Sequence, residues 1–290
     1  MTDDADAQAL LHRLVTATGS GIPGHVLLDG ARIKALPEVL AALEVSYVSL
    51  YSGPSAVEWE RVAPFLVTVS EPLVEWLASD SGALESALFI VSDVSIDALR
   101  LHFKRFLRVR DANDVERYFR FYDPRVVEPL LAASTPEEAA AFFGPVDLLV
   151  VVAELSGAHT WRAPVVAHLV APTDAFSPFR LRPQHEAAFA RDGLGRYERR
   201  VVQWLRDNRP EETTGLTDVD LRRLVTEARA LAAEIGVNTG EAATLIADYH
   251  LVRGNVQRVR DLSGRPPTER ASLLRRLHES LELEPVSGVS

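Results

Sequence analysis

The 290-residue chain contains no cysteine, one methionine and only two lysines, Lys34 and Lys104. Without cysteine, neither a disulfide framework nor a thiolate metal site can form, which fits a reducing compartment. Long hydrophobic runs are missing as well. The longest, such as Leu148 to Ala153, fall far short of the roughly 20 residues that a membrane-spanning helix needs. The opening segment Thr2-Asp3-Asp4-Ala5-Asp6 is acidic where a secretory signal is basic, so a soluble cytoplasmic protein is expected. Excess positive charge is absent too. The net charge is −10, and the arginines are spread along the chain with some local density at Arg196 to Arg206. Such a surface repels nucleic acid, which is not expected as a partner.

What is present is a globular composition, 47% hydrophobic and 25% charged. A chain of this size buries roughly three quarters of the surface its unfolded form exposes, so a substantial core is expected.

The first part alternates between helical and strand periods. Helical spacing marks Ala7 to Thr16, Ala31 to Leu43, Pro72 to Leu77, Ser95 to Phe106 with Ser95 as N-cap, and Pro124 to Ala132 with proline at the first position. Strand patterns fall at His25 to Leu28, Tyr47 to Tyr51, Ala63 to Val69, Leu88 to Val91, Glu116 to Tyr122, Val146 to Glu154 and Trp161 to Leu169. Interleaved strands and helices predict an α/β layer architecture with a mixed sheet, and the short Leu155-to-Thr160 connection predicts an antiparallel hairpin. After Pro172 to Pro178 the period becomes purely helical. Pro183 to Asn208 reads as one long helix, and Thr217 to Ile235 as a second, capped by Thr217 and ended by Gly236. A third runs from an Asn238/Glu241 capping box to about Val252. The expected organisation is an α/β domain over 1–175, a small helical domain over 176–255, and a tail over 256–290 that is partly disordered or a short helix around Leu273 to Leu281.

The chain offers little specific chemistry. There is no Gly-x-Ser-x-Gly nucleophile motif, no phosphate-binding loop and no Gly-x-Gly-x-x-Gly. His185-Glu186 begins like a zinc protease helix, but Phe189 stands where the second imidazole is needed. The remaining histidines show no metal-ligand spacing, so no metal and no cofactor is expected. Asp29-Gly30 ends a strand, where α/β enzymes often keep an acid and where an aspartate also caps a following turn. Arg120-Phe121-Tyr122-Asp123-Pro124-Arg125 is the densest cluster of functional-looking residues. Asp123 is placed to cap a helix with Pro124 at N1, and Arg120 or Arg125 can pair with it.

Read together, several of these segments resemble the effector adaptors, or chaperones, of bacterial type VI secretion systems (the Tap or Tec family). The matching stretches are Leu27-Leu28-Asp29-Gly30-Ala31-Arg32, Ser49-Leu50-Tyr51-Ser52-Gly53, Ala63-Pro64-Phe65-Leu66-Val67 and Trp76-Leu77. Phe119 to Arg125 and Phe142-Phe143-Gly144-Pro145 are the strongest. Arg182-Pro183-Gln184, Val201 to Pro210 and Gly236-Val237 resemble the helical C-terminal part of such adaptors, whereas the tail past Gly254 matches no family pattern. The resemblance implies a non-enzymatic protein that holds a toxic effector in the cytoplasm and helps mount it on the VgrG or PAAR spike. It assigns no catalytic residue. Its pattern positions Asp29, Gly30, Arg32, Pro64, Leu66, Arg120, Phe121, Tyr122, Asp123, Pro124, Arg125, Phe143, Gly144 and Pro145 are expected to keep the fold or to bind.

Arginine and aromatic anchors dominate binding hot spots. Trp59, Tyr118, Tyr197 and Trp204 are candidates, although a core position is the stronger expectation for each. The alternative function is an α/β enzyme of unknown reaction that uses acids at strand ends, Asp29 and Asp123.

Overall fold

The computed structural model describes residues 24–153, 157–162 and 179–283. The expected helix at Ala7 to Thr16, the linker at Pro172 to Pro178 and the last part of the strand ending at Leu169 lie outside the described residues. The chain divides into two compact units, residues 1–189 and 190–290.

Unit 1 is built on a six-stranded sheet in the order β2-β3-β1-β4-β7-β8. Its strands are β1 (Gly24–Asp29), β2 (Tyr47–Ser49), β3 (Pro64–Thr68), β4 (Ala87–Val91), β7 (Leu148–Ala153) and β8 (Gly157–Arg162). Every pairing within it is antiparallel; β7 and β8 pair as a hairpin is expected to, but β8 begins at Gly157, inside the expected Leu155-to-Thr160 connection, rather than at Trp161. A second, two-stranded sheet pairs β5 (Arg108–Arg110) with β6 (Glu116–Tyr118). The long strand expected over Glu116 to Tyr122 is thus only three residues. Its partner β5 begins only at Arg108, and a turn in which the Asp123 N–H donates to the Arg120 carbonyl follows before the helix.

Alternation along the strands covers both faces of the main sheet. Val26, Leu28, Phe65, Val67, Phe89 and Val150 face a core completed by α1 (Leu36–Ala42), α3 (Glu71–Ser79) and α4 (Ser81–Leu84) through Leu36, Leu40, Leu73, Leu77 and Leu84. Leu27, Leu66, Leu88, Ile90, Leu149 and Val151 face the opposite core, closed by α5 (Ile96–Lys104), α6 (Pro124–Ala133) and α7 (Pro136–Phe143). This second core is rich in aromatic rings. Phe121 stacks on Phe103 with centroids 5.5 Å apart, and Phe106 and Phe142 pack edge-on around them. Between β2 and β3 the chain makes α2 (Pro54–Glu58) and one 3-10 turn, Glu60–Val62.

Local sequence explains the helix starts. Ser95 accepts the Ala98 N–H and caps α5; Asp123 accepts the Arg125 N–H and caps α6, with Pro124 at N1. Thr135 and Glu138 form a full capping box for α7, a helix that the sequence reading omits.

The long helix α8 (Pro183–Asn208) has the expected bounds, and the division between the units falls within it. Unit 2 continues with α9 (Pro210–Thr213), α10 (Asp218–Glu234), α11 (Gly240–Arg253), α12 (Gln257–Arg260) and α13 (Pro267–Leu283). Leu221, Val225, Ala228, Leu231 and Ile235 form the buried stripe of α10, as their spacing predicts. The cap of α11 is Thr239, not Asn238: the Thr239 hydroxyl accepts the Ala242 N–H. The two residues are neighbours and each has cap chemistry, so pattern alone could not choose between them. Residues 255–283 are part of the folded core of this unit. Val259, Leu262, Leu274 and Leu281 are buried in its core, and α13 spans 17 residues.

Candidate functional site

The pattern residues collect mainly at one end of the unit 1 sheet, where β1 finishes and β3 begins. Asp29 is fully buried opposite Pro64. One of its carboxylate oxygens accepts the Ala31 N–H at 2.9 Å and the other accepts a guanidinium N–H of Arg120. Gly30 donates its N–H to the Ala63 carbonyl at 3.0 Å. A Cβ on Gly30 would stand 2.5 Å from that same oxygen, so the close passage of these two backbones requires glycine.

Three residues after Arg120, Asp123 is nearly buried. It accepts from Arg125 Nε at 2.9 Å and Nη2 at 2.6 Å, besides the helix N–H, and Arg32 Nη1 lies 3.7 Å away. Burial alone would raise its carboxyl, but the Arg125 hydrogen bonds and charge, with Arg32, outweigh that and hold Asp123 below the usual carboxylate range. Asp123 therefore stays ionised at neutral pH and is no proton donor.

Arg120 and Arg125, both candidate partners of Asp123, are thus divided between two acids. Arg120 also lies over the Tyr122 ring, 6.0 Å from its centroid. The Tyr122 hydroxyl is 3.1 Å from that of Tyr118, which in turn bonds Tyr51 at the end of β2. Burial and the neighbouring hydroxyls raise the Tyr118 phenol far above its ordinary value, so it stays protonated. This arrangement ties β1, the segment after β2 and the start of α6 together, with Asp29, Asp123 and Tyr122 buried and the arginines and Tyr118 reaching solvent.

The structure does not bring every pattern residue to this corner. Leu66 and Phe121 are core residues. Phe143, Gly144 and Pro145 lead into the start of β7, which pairs with the end of β4 at the opposite end of the sheet. Gly144 has φ +52° and packs directly on the His102 imidazole, where a Cβ would come within 2.3 Å of the ring. The Pro145 carbonyl accepts the Ser92 hydroxyl at 2.6 Å. Each of these positions has a structural reason.

Two features lay beyond the sequence patterns. Arg100 of α5 donates to the Ser49 and Tyr51 carbonyls at 2.6 and 3.2 Å. Leu50 donates toward β3, so these carbonyls point away from it, and Arg100 caps the open edge of β2. Lys104 donates to Ser52 Oγ at 2.7 Å alongside. The second feature joins Ser134, His185 and Glu138, with His185 Nε2 3.3 Å from the Ser134 hydroxyl and 3.5 Å from Glu138. It resembles a hydrolytic triad in composition only. His185 Nδ1 accepts the Arg182 N–H at 3.1 Å, so the proton is on Nε2 and that nitrogen is no base toward Ser134. The Ser134 hydroxyl donates instead to the Leu130 carbonyl at 2.8 Å.

The surface beside the corner is apolar. Val57 is 81% exposed and Trp59 53% exposed in the excursion before β3, with Val62 next to them, and Tyr118 is half exposed. The expected core positions of Trp59, Tyr118 and Trp204 are therefore overturned, since all three reach solvent, while Tyr197 is half-buried against Gly240. Trp59 stands in a short irregular segment with no period to bury it, and Tyr118 ends the three-residue strand β6, all of whose residues are exposed. Among the described residues, no group of three or more histidine, cysteine, aspartate or glutamate side chains is placed to hold a metal ion, and no helix is long and apolar enough to cross a membrane.

Unit 1 is therefore an antiparallel sheet covered by helices on both faces, whose charged pattern residues are paired in fixed positions beside an exposed apolar excursion. Residues 25–141, less than half of the chain, match a family described as a domain of unknown function, DUF4123. The match runs from β1 to α7 and takes in the whole polar corner. No curated protein and no solved structure matches the chain.

Proposed function

We propose that the protein is a non-enzymatic adaptor that binds a type VI secretion effector in the cytoplasm and helps load it onto the VgrG or PAAR spike. One observation carries the reading most. The family match over residues 25–141 takes in the resembling stretches from Leu27 to Arg125, although not Phe142 to Pro145, and the charged residues of that pattern serve as fixed ion pairs and caps. Asp29 and Asp123, the acids of the alternative enzyme, are both engaged by arginine. Beside them Val57, Trp59, Val62 and Tyr118 offer exposed apolar and aromatic surface of the kind that anchors protein partners. In this reading unit 1 grips the effector or the spike, and unit 2 completes or selects the interface.

The test is affinity capture of the tagged full chain from its native host, with the bound proteins identified by mass spectrometry. Recovery of a toxin together with a VgrG or PAAR protein supports the proposal. Recovery of neither, from cells expressing the secretion apparatus, removes it.

A further inference from the structure

Among its described side chains unit 1 buries three imidazoles, and two of them, His25 and His102, have no carboxylate beside them. His25 lies in β1 on the Leu27 face, in register with Thr68 of β3 and Ile90 of β4. It is 3% exposed, and among the described residues neither ring nitrogen has a hydrogen-bond partner. No charged group among the described residues acts on it; burial alone lowers its pKa. His102 of α5 bonds the Phe142 carbonyl through Nε2 at 2.8 Å, so that nitrogen carries the proton. Phe103 and Phe106 pack edge-on against its ring, and Gly144 covers the edge that holds Nδ1. Burial lowers His102 to about 4; the Phe142 carbonyl opposes this weakly, and Arg105, on the turn that ends α5, adds to it. His185 is fully buried beside the Phe179 ring, with Nδ1 occupied by the Arg182 N–H. Burial again lowers it most, Glu138 of α7 opposes, and Arg182 reinforces.

Unit 2 treats its described histidines differently. His250 is half-buried, and His278 of α13 places Nε2 2.7 Å from the Asp248 carboxylate, a contact that a proton strengthens.

We propose that unit 1 contains a proton switch: acidification from about pH 7 to about pH 5 opens it, with net uptake of protons by His25, His102 and His185, while unit 2 stays folded. The sign follows from burial. A histidine held neutral in the fold takes up its proton on unfolding, so stability is full above the ordinary histidine value. It falls as pH drops toward the folded value, and the dependence ends once both states are protonated. For His102 alone the shift from 6.5 to about 4 raises the unfolding constant on the order of 20-fold between those two pH values. Asp248 of unit 2 works in another window. Burial would raise its carboxyl, but His278 and Arg209 outweigh that and hold it low, so its contribution is lost only below the ordinary carboxylate range. The switch belongs to the fold and does not depend on which partner the chain binds.

The experiment is hydrogen exchange of the full chain read by mass spectrometry near pH 7 and near pH 5, corrected for intrinsic exchange, with His25→Leu in parallel. Leucine suits a site where the imidazole has no polar partner. The expected result is loss of protection in unit 1 peptides at the lower pH, retention in α10 and α11, and a smaller loss in His25→Leu. If that variant does not fold, the pH slope of wild-type unit 1 stability still decides: one proton or more taken up on unfolding supports the switch. Equal loss in both units, no loss in unit 1, or an uptake below one proton overturns it.

Discussion

Unit 1 and unit 2 use the same three kinds of side chain in opposite ways. In unit 1 the buried acids Asp29 and Asp123 pair with arginines, while His25 and His102 are buried among apolar and backbone neighbours and His185 lies beside Ser134 and Glu138. In unit 2 one buried acid, Asp248 of α11, takes two Arg209 donors at 2.8 and 2.9 Å and His278 as well, joining the α8–α9 junction, α11 and α13. A buried carboxylate is tolerated only where cations and hydrogen bonds replace its lost water. Where histidine supplies part of that replacement, acid does not weaken the contact until the carboxylate itself protonates. Where histidine is only packing, acid weakens the fold much earlier.

The comparison can be broken at its strongest point first. Arg209→Met leaves Asp248 buried with His278 alone and is expected to cost unit 2 about 4 kcal/mol, while unit 1 keeps its stability. Urea unfolding followed by unit-resolved hydrogen exchange checks both halves of that statement. Gly144→Ala forces a side chain into a positive-φ position and into the His102 ring, and should cost unit 1 about 3 kcal/mol. Thermal unfolding measures it, and a neutral result would mean that the imidazole moves aside freely. Arg120→Ala removes the guanidinium from Asp29 and is expected to cost about 2 kcal/mol, less than a fully buried pair because Arg120 is partly exposed and water can enter. Denaturant midpoints decide, and a loss below about 0.5 kcal/mol would show that the Ala31 N–H suffices for Asp29. Trp59→Ala should change stability by less than about 0.5 kcal/mol, since the ring already meets solvent, yet weaken effector capture at least about tenfold. Unchanged capture would move the interface away from this excursion.

Much of this architecture was readable from local signals. Pro183 and the helical period of Val201 and Leu205 bounded α8, Ser95 and Asp123-Pro124 marked two helix starts, and alternation placed β1, β3 and β4. The pairings that make the corner were not readable. Arg120 meets Asp29 across 91 residues of sequence, and Arg125 competed with it for Asp123 on equal terms of chemistry. Nor did composition show that His25, His102 and His185 are buried, because each stands in a segment whose facing residues are fixed by the whole sheet. The exposure of Trp59 has the same origin. A large apolar residue reads as core until the neighbouring strands show that the chain at that point runs outside it.

The central claim is that this chain carries a type VI effector to the spike, and the most direct test is made in the native host. The coding sequence is deleted, and secretion of the effector recovered by capture is compared with secretion of the spike proteins themselves. The account predicts that the effector disappears from the secreted fraction while the spike proteins remain, and that restoring the wild-type chain restores it. Continued secretion of the effector without this chain would contradict the account.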